Sequence, residues 1–441
     1  MILEPAGRRV TVMGLGRFGG GVGVVRWLAS QNAQILLTDL DSADHLGDSL
    51  SAISPLVESG RVTLRFGEHR EEDFCNADVV IANPAVPQPW RNRYLNAATQ
   101  SGVPIYTEIR LLVERLNRRR VIGVTGSAGK STTAAMIHHI LSRAGLRAHL
   151  GGNIGGSLLN SLRDIRDDDW VVLELSSAML YWLGENVGFS GAAGWSPGVA
   201  ALTNIEPNHL DWHGTQDHYV QSKLNIFRFQ QAEDYAIRGD DLTLLSAQSD
   251  ESNRSMFKTI SLCIPGAHNL INAQLAIATV ERATAISREV TVPLLADFRG
   301  LPHRLQLVAE CDGVRYYNDS KSTTPRATLL AVNAFEDPSR VHLIAGGYDK
   351  GSDLSPIAHL APQIAGLYTI GATGPQLAAD AASNARFCET LDRAVEAAIS
   401  IIKPGEVLLL SPGCASWDQF INFEQRGDHF ASLVRSRIGQ P

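Results

Sequence analysis

The sequence predicts an α/β protein of three consecutive domains, each built on a mainly parallel sheet. Short apolar runs that read as strands alternate with helical stretches along the whole chain, as in proteins with parallel sheets. The chain has 441 residues, and single cores seldom grow past ~250 residues before a chain divides. Two glycine-rich turns each follow an apolar run directly. We place the domains at 1–118, 119–299 and 300–441.

The composition is ordinary for a soluble globular protein, with 44% hydrophobic and 19% charged residues. No apolar run approaches the ~20 residues of a membrane span, so no membrane insertion is expected. The N-terminus lacks a basic segment followed by an apolar core, which predicts a cytoplasmic protein. The net charge of -7 disfavours a nucleic-acid partner.

The cysteines are odd in number and scattered without CxxC spacing. This distribution fits reduced, buried thiols better than disulfides or a zinc site. The five residues are Cys75, Cys263, Cys311, Cys388 and Cys414.

The first domain opens with a strand at 9–13, a glycine turn, a helix and a second strand that ends at Asp39. The GxGxxG spacing is met by Gly14, Gly16 and Gly19, although further glycines lengthen the turn. This order is typical of a Rossmann-like βαβ unit that binds a dinucleotide. Taken alone, the turn leaves an NAD site, another nucleotide site and a purely structural turn as alternatives.

Apolar runs continue the alternation, with a helix predicted at 108–116 and another at 133–144. The basic run Arg118–Arg120 marks the first boundary and is interpreted as a solvated linker, and the second boundary lies near Gly300. The last domain alternates again and is predicted to be Rossmann-like. The predicted strands are 79–82, 104–106, 121–125, 171–175, 200–203, 341–345, 367–370 and 407–410.

The strongest local signal is the loop between the strand at 121–125 and the following helix. Backbone N–H groups of such a loop cradle phosphates at a helix N-terminus. Lys130 can neutralise the β- and γ-phosphates, and the Ser131 hydroxyl can hold Mg²⁺. The spacing departs from the strict GxxxxGK[ST] form, and a glycine turn with a chance lysine is the alternative. The loop residues that we assign to ATP are Gly126, Gly129, Lys130, Ser131 and Thr132.

Glu174 lies in an apolar run that should be a central strand of the same sheet. A buried carboxylate is costly unless a cation or hydrogen-bond donors compensate it. Mg²⁺ beside the phosphate loop would do so, which predicts a metal ligand. The alternative is a glutamate that caps a loop or pairs with an arginine.

A later strand runs into a loop that contains His209, Asp211 and His213, and Lys223 follows in a helical stretch. Two histidines and an aspartate could suggest zinc, but no cysteine is near and the phosphate loop favours magnesium. By residue type alone, a lone histidine is more often structural than a ligand.

Taken together, these motifs resemble the central domain of the Mur ligases, which build the peptide stem of peptidoglycan. The resemblance rests on GVTGSAGKST at 123–132, LELSS at 173–177, and Thr203-Asn204 leading to His209 and Lys223. It continues in order through nearly the whole chain, and the last segment is similar to the members that add D-glutamate. The later motifs lie at 268–272, 301–304, 318–321, 346–350 and 410–427.

The resemblance implies an ATP-dependent, ADP-forming ligase that joins D-glutamate to UDP-N-acetylmuramoyl-L-alanine through an acyl phosphate. The first domain would then hold the uridine diphosphate instead of NAD. A monomer with two Mg²⁺ ions is implied, and Lys223 would be carbamoylated by CO₂, with an unmodified lysine as the alternative.

Site residues follow from the same resemblance, although a cap, a turn or a surface charge is the alternative for each one singly. The catalytic residues would be Lys130, His209 and Lys223, and the metal ligands Ser131, Glu174, His209 and Lys223. Further ATP contacts would be Asn272, Arg304 and Asp319. The substrate contacts would be Gly16, Arg17, Phe18, Asp39, Asn153, Ser176, Lys321, Thr323, Lys350, Ser416 and Phe423.

Other functions stay open at this point. A folylpolyglutamate-type ligase shares the phosphate loop, but a separate leading nucleotide domain would be superfluous in it. From other classes, the chain could be an NAD-dependent dehydrogenase or a non-catalytic nucleotide-binding regulator. Departures from the family pattern that bear on the substrate pocket are the longer first turn, Ala178, Met179, Asn208 and Trp212.

Overall fold

The chain forms two compact units in a computed structural model. The first comprises Met1–Phe257 and Asn272–Val292, and the second comprises Lys258–Ile271 and Pro293–Pro441. Two five-stranded sheets lie in the first unit and one six-stranded sheet in the second, which confirms the predicted three-sheet α/β class. The residues that the structure describes are 2–16, 20–206, 209–239, 260, 262–348, 350–381 and 383–439.

The first sheet is wholly parallel and has the order β3-β2-β1-β4-β5. The strand order reverses between β1 and β4, and ligands of open α/β sheets bind at the carboxyl ends beside such a switch point. Its strands are β1 (Arg9–Met13), β2 (Gln34–Asp39), β3 (Val62–Phe66), β4 (Val79–Ala82) and β5 (Ile105–Tyr106). Its helices are α1 (Val22–Ser30), α2 (Gly47–Ser51), α3 (Ser54–Glu58), α4 (Glu71–Cys75), α5 (Arg93–Gln100) and α6 (Glu108–Val113).

The second sheet is also parallel, with the order β10-β9-β6-β8-β7. Its strands are β6 (Val121–Thr125), β7 (Ala148–Gly152), β8 (Trp170–Glu174), β9 (Val199–Leu202) and β10 (Tyr235–Arg238). The helices that follow along the chain are α7 (Lys130–Arg143), α8 (Ser177–Trp182), α9 (Leu210–His213), α10 (Gln216–Arg228), α11 (Ala267–Thr284) and α12 (Arg288–Thr291).

The register of the second sheet brings three chain segments to one edge. Val124 is level with Glu174 on β8, and Thr125 is level with Leu202 on β9. Because β6 lies between β8 and β9, the carboxyl ends of all three strands meet. The phosphate loop, Glu174 and the segment that leads to His209 therefore begin side by side.

The sheet of the second unit has the order β11-β12-β16-β13-β14-β15, and only its edge pair β11–β12 is antiparallel. Its strands are β11 (Gln306–Cys311), β12 (Val314–Asn318), β13 (Val341–Gly346), β14 (Gly366–Ile370), β15 (Ala385–Glu389) and β16 (Val407–Leu410). Its helices are α13 (Pro325–Val332), α14 (Ser355–Ala358), α15 (Gly374–Asp380), α16 (Leu391–Ile399) and α17 (Phe423–Arg437).

Buried apolar side chains on the central strands hold these sheets together. Every residue of β6, β8, β9, β13, β14 and β16 is buried, as expected for parallel strands covered on both faces. Burying one Val, Leu or Ile side chain contributes about 1.5–3 kcal/mol. One cluster joins Val12 and Leu28 near the first sheet to Leu173 and Ile226 near the second. This shared core is the reason that the first two sheets form a single compact unit.

Several details differ from the sequence predictions. Helix α7 begins at Lys130 instead of 133, and α6 ends at Val113 instead of 116. The five cysteines form no disulfide bonds in the structure, and Cys388 and Cys414 are buried, whereas Cys75, Cys263 and Cys311 are only partly buried. None of the helices in the described ranges combines the length and the apolar character that a membrane crossing requires. The domain limits at 118 and 299 stay predictions.

The interpretation of the basic run as a solvated linker is wrong for two of its three residues. Arg118 pairs with Asp234 while keeping only 20% of its side chain exposed. The Arg120 guanidinium lies 4.8 Å from the centre of the Trp170 ring. Ionic and ring contacts therefore fix the start of β6, and only Arg119 extends into solvent.

Candidate functional site

The phosphate loop is shaped by two glycines in the left-handed half of backbone space. Gly126 has φ 148° and Gly129 has φ 81°. A Cβ atom at Gly126 would collide with Thr203 Oγ1, and one at Gly129 would collide with Asn272 Oδ1. Only glycine combines these angles with so close an approach. Asn272 lies beside the loop, as its predicted ATP contact requires.

Neighbouring segments hold the loop in place from one side. The Ala128 N–H donates to Asn204 Oδ1 (2.9 Å), and the Thr203 hydroxyl donates to the Ala128 carbonyl (2.5 Å). The Ser127 hydroxyl lies 2.8 Å from the Tyr219 hydroxyl. The backbone groups of the loop are thus oriented before any ligand arrives, which reduces the reorganisation needed to bind phosphate.

Lys130 is the first residue of the fourteen-residue helix α7. Its Nζ donates to the Ser127 carbonyl across the loop (3.1 Å). Ser131 is buried and Thr132 half-buried in the same first turn. The helix N-terminus carries a partial positive charge and N–H groups without intrahelical partners, so the turn combines three features that favour an anion.

Glu174 ends β8 with only 1% of its surface exposed. Its Oε1 accepts a hydrogen bond from Asn153 Nδ2 (3.0 Å), whereas its buried Oε2 has no hydrogen-bond partner among the described residues. A buried polar atom without a partner costs about 1–3 kcal/mol. A cation bound at Oε2 would remove that cost, and carboxyl and hydroxyl oxygens are ligands that Mg²⁺ prefers. The residues present therefore fit a magnesium ion.

Lys223, on α10, is almost fully buried beside the loop. Its Nζ donates to the Gly126 carbonyl (2.7 Å) and lies 4.9 Å from the centre of the Tyr219 ring. Burial, with a further contribution from Lys130, lowers the pKa of Lys223 to about 7, while Glu174 opposes the shift. A large fraction of this amine is therefore neutral near pH 7, the form that reacts with CO₂. The Gly126 hydrogen bond is one that an unmodified lysine makes, so the alternative stays open.

His209 precedes α9 in the left-handed conformation, with φ 51°. Its pKa is lowered, first by partial burial and further by Lys223 and Lys130, while Asp211 opposes the shift. A non-glycine residue at positive φ costs about 1–3 kcal/mol, and such strained residues are enriched at functional sites. Because Lys223 and Lys130 both lower its pKa, His209 lies within electrostatic reach of the two lysines of the site.

His213, which the sequence suggests only as part of the zinc alternative, is a buried residue of this segment. Its Nε2 lies 2.9 Å from Ser177 Oγ and its Nδ1 lies 2.9 Å from His218 Nδ1. Burial is the largest cause that lowers the pKa of His213 to about 4, so the imidazole is neutral at pH 7. Within the described ranges, no three His, Cys, Asp or Glu side chains form a group that could hold a metal.

Trp212 connects the His209 segment to the first sheet. Its Nε1–H donates to the Pro84 carbonyl (3.1 Å), and its own carbonyl accepts the Gln88 N–H (3.1 Å). The loop after β4 is therefore hydrogen-bonded to the loop that carries His209. This connection is one that no local sequence pattern indicates.

Asp39 holds the glycine turn of the first sheet. Its Oδ2 accepts the N–H groups of Leu15 (2.9 Å) and Gly16 (3.1 Å), and its Oδ1 accepts that of Asp41 (3.0 Å). The carboxyl group thus accepts hydrogen bonds from the turn itself, and its predicted contact with the substrate stays a prediction. The predicted contacts Arg17 and Phe18 lie outside the described residues. Ser176 caps α8 by accepting the Met179 N–H (3.2 Å), and its substrate contact also stays a prediction.

In the second unit, Asp319 follows β12 and is buried. It accepts hydrogen bonds from Ser322 Oγ (2.6 Å), Ser411 Oγ (2.8 Å) and the Leu305 N–H (3.1 Å). Burial raises the pKa of Asp319 to about 6, although these donors and the Arg304 charge oppose the shift. Arg304 itself is exposed.

Asp319 should make the stability of the protein fall as pH rises from about 4 to 6. Because its pKa is raised in the folded chain, the unfolded chain binds fewer protons in this window, and the free energy of unfolding decreases with pH. The full difference is roughly 3 kcal/mol. Asp319→Asn removes this pH dependence. The unfolding midpoint of the variant, relative to that of the wild type, should therefore be higher at pH 6.5 than at pH 4.5. Thermal unfolding midpoints at both pH values measure this gain.

Asp353→Asn is the matched control for that experiment. Asp353 is exposed, and Ser355 lowers its pKa, so any relative change for this variant should have the opposite sign. A difference between wild type and Asp319→Asn that stays constant with pH would show that the Asp319 pKa is not raised.

Arg426 organises the rest of the second unit's candidate site, and the sequence assigned it no role. Its guanidinium, 1% exposed, donates to Ser320 Oγ (3.0 Å) and O (2.9 Å), and to the carbonyls of Cys414 (3.1 Å) and Ala415 (3.1 Å). Burial lowers its pKa to about 10. Two predicted site residues, Lys321 and Ser416, directly follow the segments that it holds together.

The remaining predicted contacts lie near these segments. The Lys321 ammonium lies 5.1 Å from the centre of the Phe423 ring, and Ser416 is buried. Thr323 is half-buried in the loop after β12, and Lys350 is exposed. The structure thus groups Asp319, Lys321, Ser416 and Phe423 in one unit, and Lys130, Glu174, Lys223 and Asn272 in the other.

Comparison with known proteins finds family models that match three successive parts of the chain. Residues 8–107 match the "Mur ligase MurD-like, N-terminal domain", 124–258 the "Mur ligase middle domain", and 303–414 the "Mur ligase, glutamate ligase domain". Together they span most of the sequence and follow the order of the three sheets.

Full-length relatives carry one shared name. A protein of Acidobacterium capsulatum is 34% identical over 99% of this chain and 98% of its own length, and one of Geobacillus kaustophilus is 34% identical over 97% of each. A protein of Roseiflexus sp. is 36% identical over 98% of this chain and 100% of its own length. Each is named "UDP-N-acetylmuramoylalanine--D-glutamate ligase".

Solved structures share the fold at low sequence identity. UDP-N-acetylmuramate-alanine ligase MurC from Thermotoga maritima aligns with a TM-score of 0.55 and 17% identity, covering 98% of this chain and all of that one. MurF ligase from Thermotoga maritima, solved in complex with ADP, aligns with a TM-score of 0.53 and 16% identity, covering 98% and 96%.

Proposed function

The chain belongs to the Mur ligase family, and on that premise we propose that it is an ATP-dependent, ADP-forming ligase that joins D-glutamate to UDP-N-acetylmuramoyl-L-alanine. The observation that carries the proposal is the full-length match to D-glutamate ligases in a chain whose phosphate loop and Glu174 share one sheet edge. The reaction belongs to peptidoglycan precursor synthesis.

The chemistry requires activation of a carboxylate. A free carboxylate repels an amine and has no leaving group, so the L-alanine carboxylate first attacks the γ-phosphate of ATP and forms an acyl phosphate, with ADP released. The amine of D-glutamate then attacks the acyl carbon, and inorganic phosphate leaves. The protein contributes positioning and electrostatic stabilisation more than covalent chemistry.

Lys130 offsets the negative charge that accumulates when the carboxylate approaches the triphosphate. Its position at the N-terminus of α7 places the ammonium, the loop N–H groups and the helix dipole on the same phosphates. The other loop residues, Gly126, Gly129, Ser131 and Thr132, hold the phosphates through backbone and hydroxyl groups. Asn272, Arg304 and Asp319 are further ATP contacts.

Two Mg²⁺ ions would be held by Ser131, Glu174, His209 and a carbamoylated Lys223. When bound, the ions neutralise charge on the phosphate oxygens. Oε2 of Glu174 supports this assignment, because it is buried and has no hydrogen-bond partner within the described ranges. Carbamoylation would turn Lys223 from a competing cation into an anionic ligand.

The remaining predicted site residues bind the two co-substrates. Gly16, Arg17, Phe18 and Asp39 bind the uridine diphosphate, Asn153 faces the muramoyl part, and Ser176 is a further substrate contact. Lys321, Thr323, Lys350, Ser416 and Phe423 surround D-glutamate. We also propose three domains at 1–118, 119–299 and 300–441, and a cytoplasmic monomer that needs no nucleic acid.

Carbamoylation of Lys223 should be visible by ¹³C NMR in ¹³C-bicarbonate. Because only the neutral amine attacks CO₂ and the pKa is about 7, the carbamate signal should grow as pH rises from 6.5 to 8. Lys223→Arg should lack this signal, and the matched control Lys403→Arg, at an exposed lysine, should keep it. A wild-type spectrum at pH 8 identical to that of Lys223→Arg would establish the unmodified lysine.

Phosphate release tests the function as a whole. Purified protein with Mg²⁺ and ATP is offered nucleotide-sugar precursors and amino acids in turn, and product mass is measured. We expect release that needs UDP-N-acetylmuramoyl-L-alanine and D-glutamate together, with one joined product. Release with a pterin substrate would favour a folylpolyglutamate-type ligase. ATP binding without any joined product would favour a regulator, and NAD reduction a dehydrogenase.

A further inference from the structure

We propose that Trp417 is a positioning residue of the second unit, which holds the ammonium group of Lys350 on its ring face for a carboxylate of the incoming acidic amino acid. The inference rests on the proposed function and adds a residue to it. No role for Trp417 follows from the motifs of the sequence.

The solvent exposure of Trp417 is unusual for a tryptophan. Trp417 is 58% exposed, although tryptophans are mostly buried. The Lys350 Nζ lies 4.5 Å from the centre of its ring, within the range of a cation–π contact. The ring of Tyr348, 42% exposed, lies 5.5 Å from that of Trp417. Two exposed aromatic rings and one ammonium group thus form a single surface feature.

The backbone under this feature is fixed. The Tyr348 N–H donates to the Ala415 carbonyl (2.9 Å), which also accepts from Arg426 Nη1 (3.1 Å). On the other side of Trp417, Asp418 Oδ2 accepts the Ala372 N–H (2.9 Å). The exposed position of the Trp417 ring is therefore built into the turn.

A second lysine of this unit, Lys321, also has its ammonium group over an aromatic ring. Lys321 Nζ lies over the Phe423 ring, and the preceding residue, Ser320, is held by Arg426. The buried Arg426 guanidinium thus links the segments before both features. The second unit thus carries two ammonium groups that each lie over a ring face, Lys350 on Trp417 and Lys321 on Phe423.

A ring face suits this task because it restrains a lysine without neutralising it. A free lysine side chain loses rotamer freedom when it binds, and a ring that already confines it reduces that loss. A carboxylate forms a stronger contact with the ammonium than an exposed ring does, so the ligand can take over the charge. A salt bridge with a protein carboxylate would instead compete with the substrate.

Steady-state kinetics of the full-length enzyme test the inference. Trp417→Ala should raise the KM for D-glutamate about 3- to 10-fold, with kcat changed less than about twofold and the KM values for ATP and the nucleotide sugar unchanged. Trp417→Phe keeps a ring face and should restore the KM to within about twofold of wild type. Ile421→Ala, at a 73% exposed residue of the same segment, is the matched control and should change nothing.

A double variant shows whether Trp417 acts through Lys350. In a Lys350→Gln background, Trp417→Ala should add no further increase in KM, because the ring has no ammonium to hold. Full additivity, an unchanged KM in Trp417→Ala, or failure of Trp417→Phe to restore it would each overturn the inference. Absence of D-glutamate ligation by the wild type would instead overturn the proposed function itself.

Discussion

Replacing Lys130 with alanine should lower kcat by roughly 10²- to 10³-fold while leaving the fold intact. The ammonium is the one side-chain charge of the phosphate loop, and it bridges the loop through the Ser127 carbonyl. Without it, the charge that develops between carboxylate and triphosphate is offset only by N–H groups and metal. Its loss removes transition-state stabilisation, so kcat should fall more than the KM for ATP rises.

Phosphate release and thermal unfolding measure the two parts of that prediction. Arg143→Ala removes a positive charge from the opposite end of the same helix and is the matched control, with near wild-type kcat expected. Near-normal ATP-dependent ligation by Lys130→Ala would refute the assigned role. A collapse of the unfolding midpoint would show that Lys130 supports the fold instead.

Glu174→Gln should also lower kcat by roughly 10²-fold or more, but with a different effect on stability. Glutamine keeps an oxygen for the Asn153 hydrogen bond and removes the charge that would hold Mg²⁺. Since Oε2 of the buried carboxyl group has no hydrogen-bond partner in the part of the chain that the structure describes, the variant without metal should be as stable as the wild type or more so. Such a gain in stability with a loss of activity is expected of a functional residue.

Scanning fluorimetry with and without Mg²⁺ separates the two effects of Glu174. Mg²⁺ should raise the unfolding midpoint of the wild type and of Glu185→Gln, an exposed control in the same unit, but not that of Glu174→Gln. Equal stabilisation of all three proteins would show that Glu174 does not hold the ion.

The strands that could be predicted are those buried on both faces. Residues 121–125 and 407–410 read as continuous apolar runs because helices or loops cover both sides of a central parallel strand. Two edge strands are absent from the predicted set: Tyr235–Arg238 and Ala385–Glu389 each contain a single buried residue and lack an apolar run. Edge strands depend on pairing with a neighbour, which a local pattern does not contain.

One hairpin was missed although a signal for it existed. Asp312-Gly313 stands between β11 and β12, with φ values of 50° and 77°. Both residues at positive φ are typical of a two-residue hairpin turn, and Asp-Gly favours it. The alternation of strands and helices elsewhere favours parallel strands, so this antiparallel pair is absent from the predicted set.

The candidate site also contains residues that the sequence indicates and residues that it does not. The position of the phosphate loop and of Glu174 at one sheet edge could be predicted, because such a loop is marked by closely spaced glycines before a lysine and Glu174 ends an apolar strand. Their roles, and that of Lys223, which only the family resemblance indicated, stay predictions. Arg426 and His213 could not be predicted, since their roles come from burial against distant segments. A charged residue in a helix is ordinarily on the surface, and nothing local distinguishes the exception.

Isotope transfer tests the central claim most directly, that the γ-phosphate passes to the substrate carboxylate. UDP-N-acetylmuramoyl-L-alanine labelled with ¹⁸O at both carboxylate oxygens is incubated with enzyme, Mg²⁺, ATP and D-glutamate. The ¹⁸O content of the released phosphate is then measured by mass spectrometry. One ¹⁸O atom in each phosphate is predicted, because the acyl phosphate breaks at the acyl carbon. Unlabelled phosphate accompanying the joined product would contradict it.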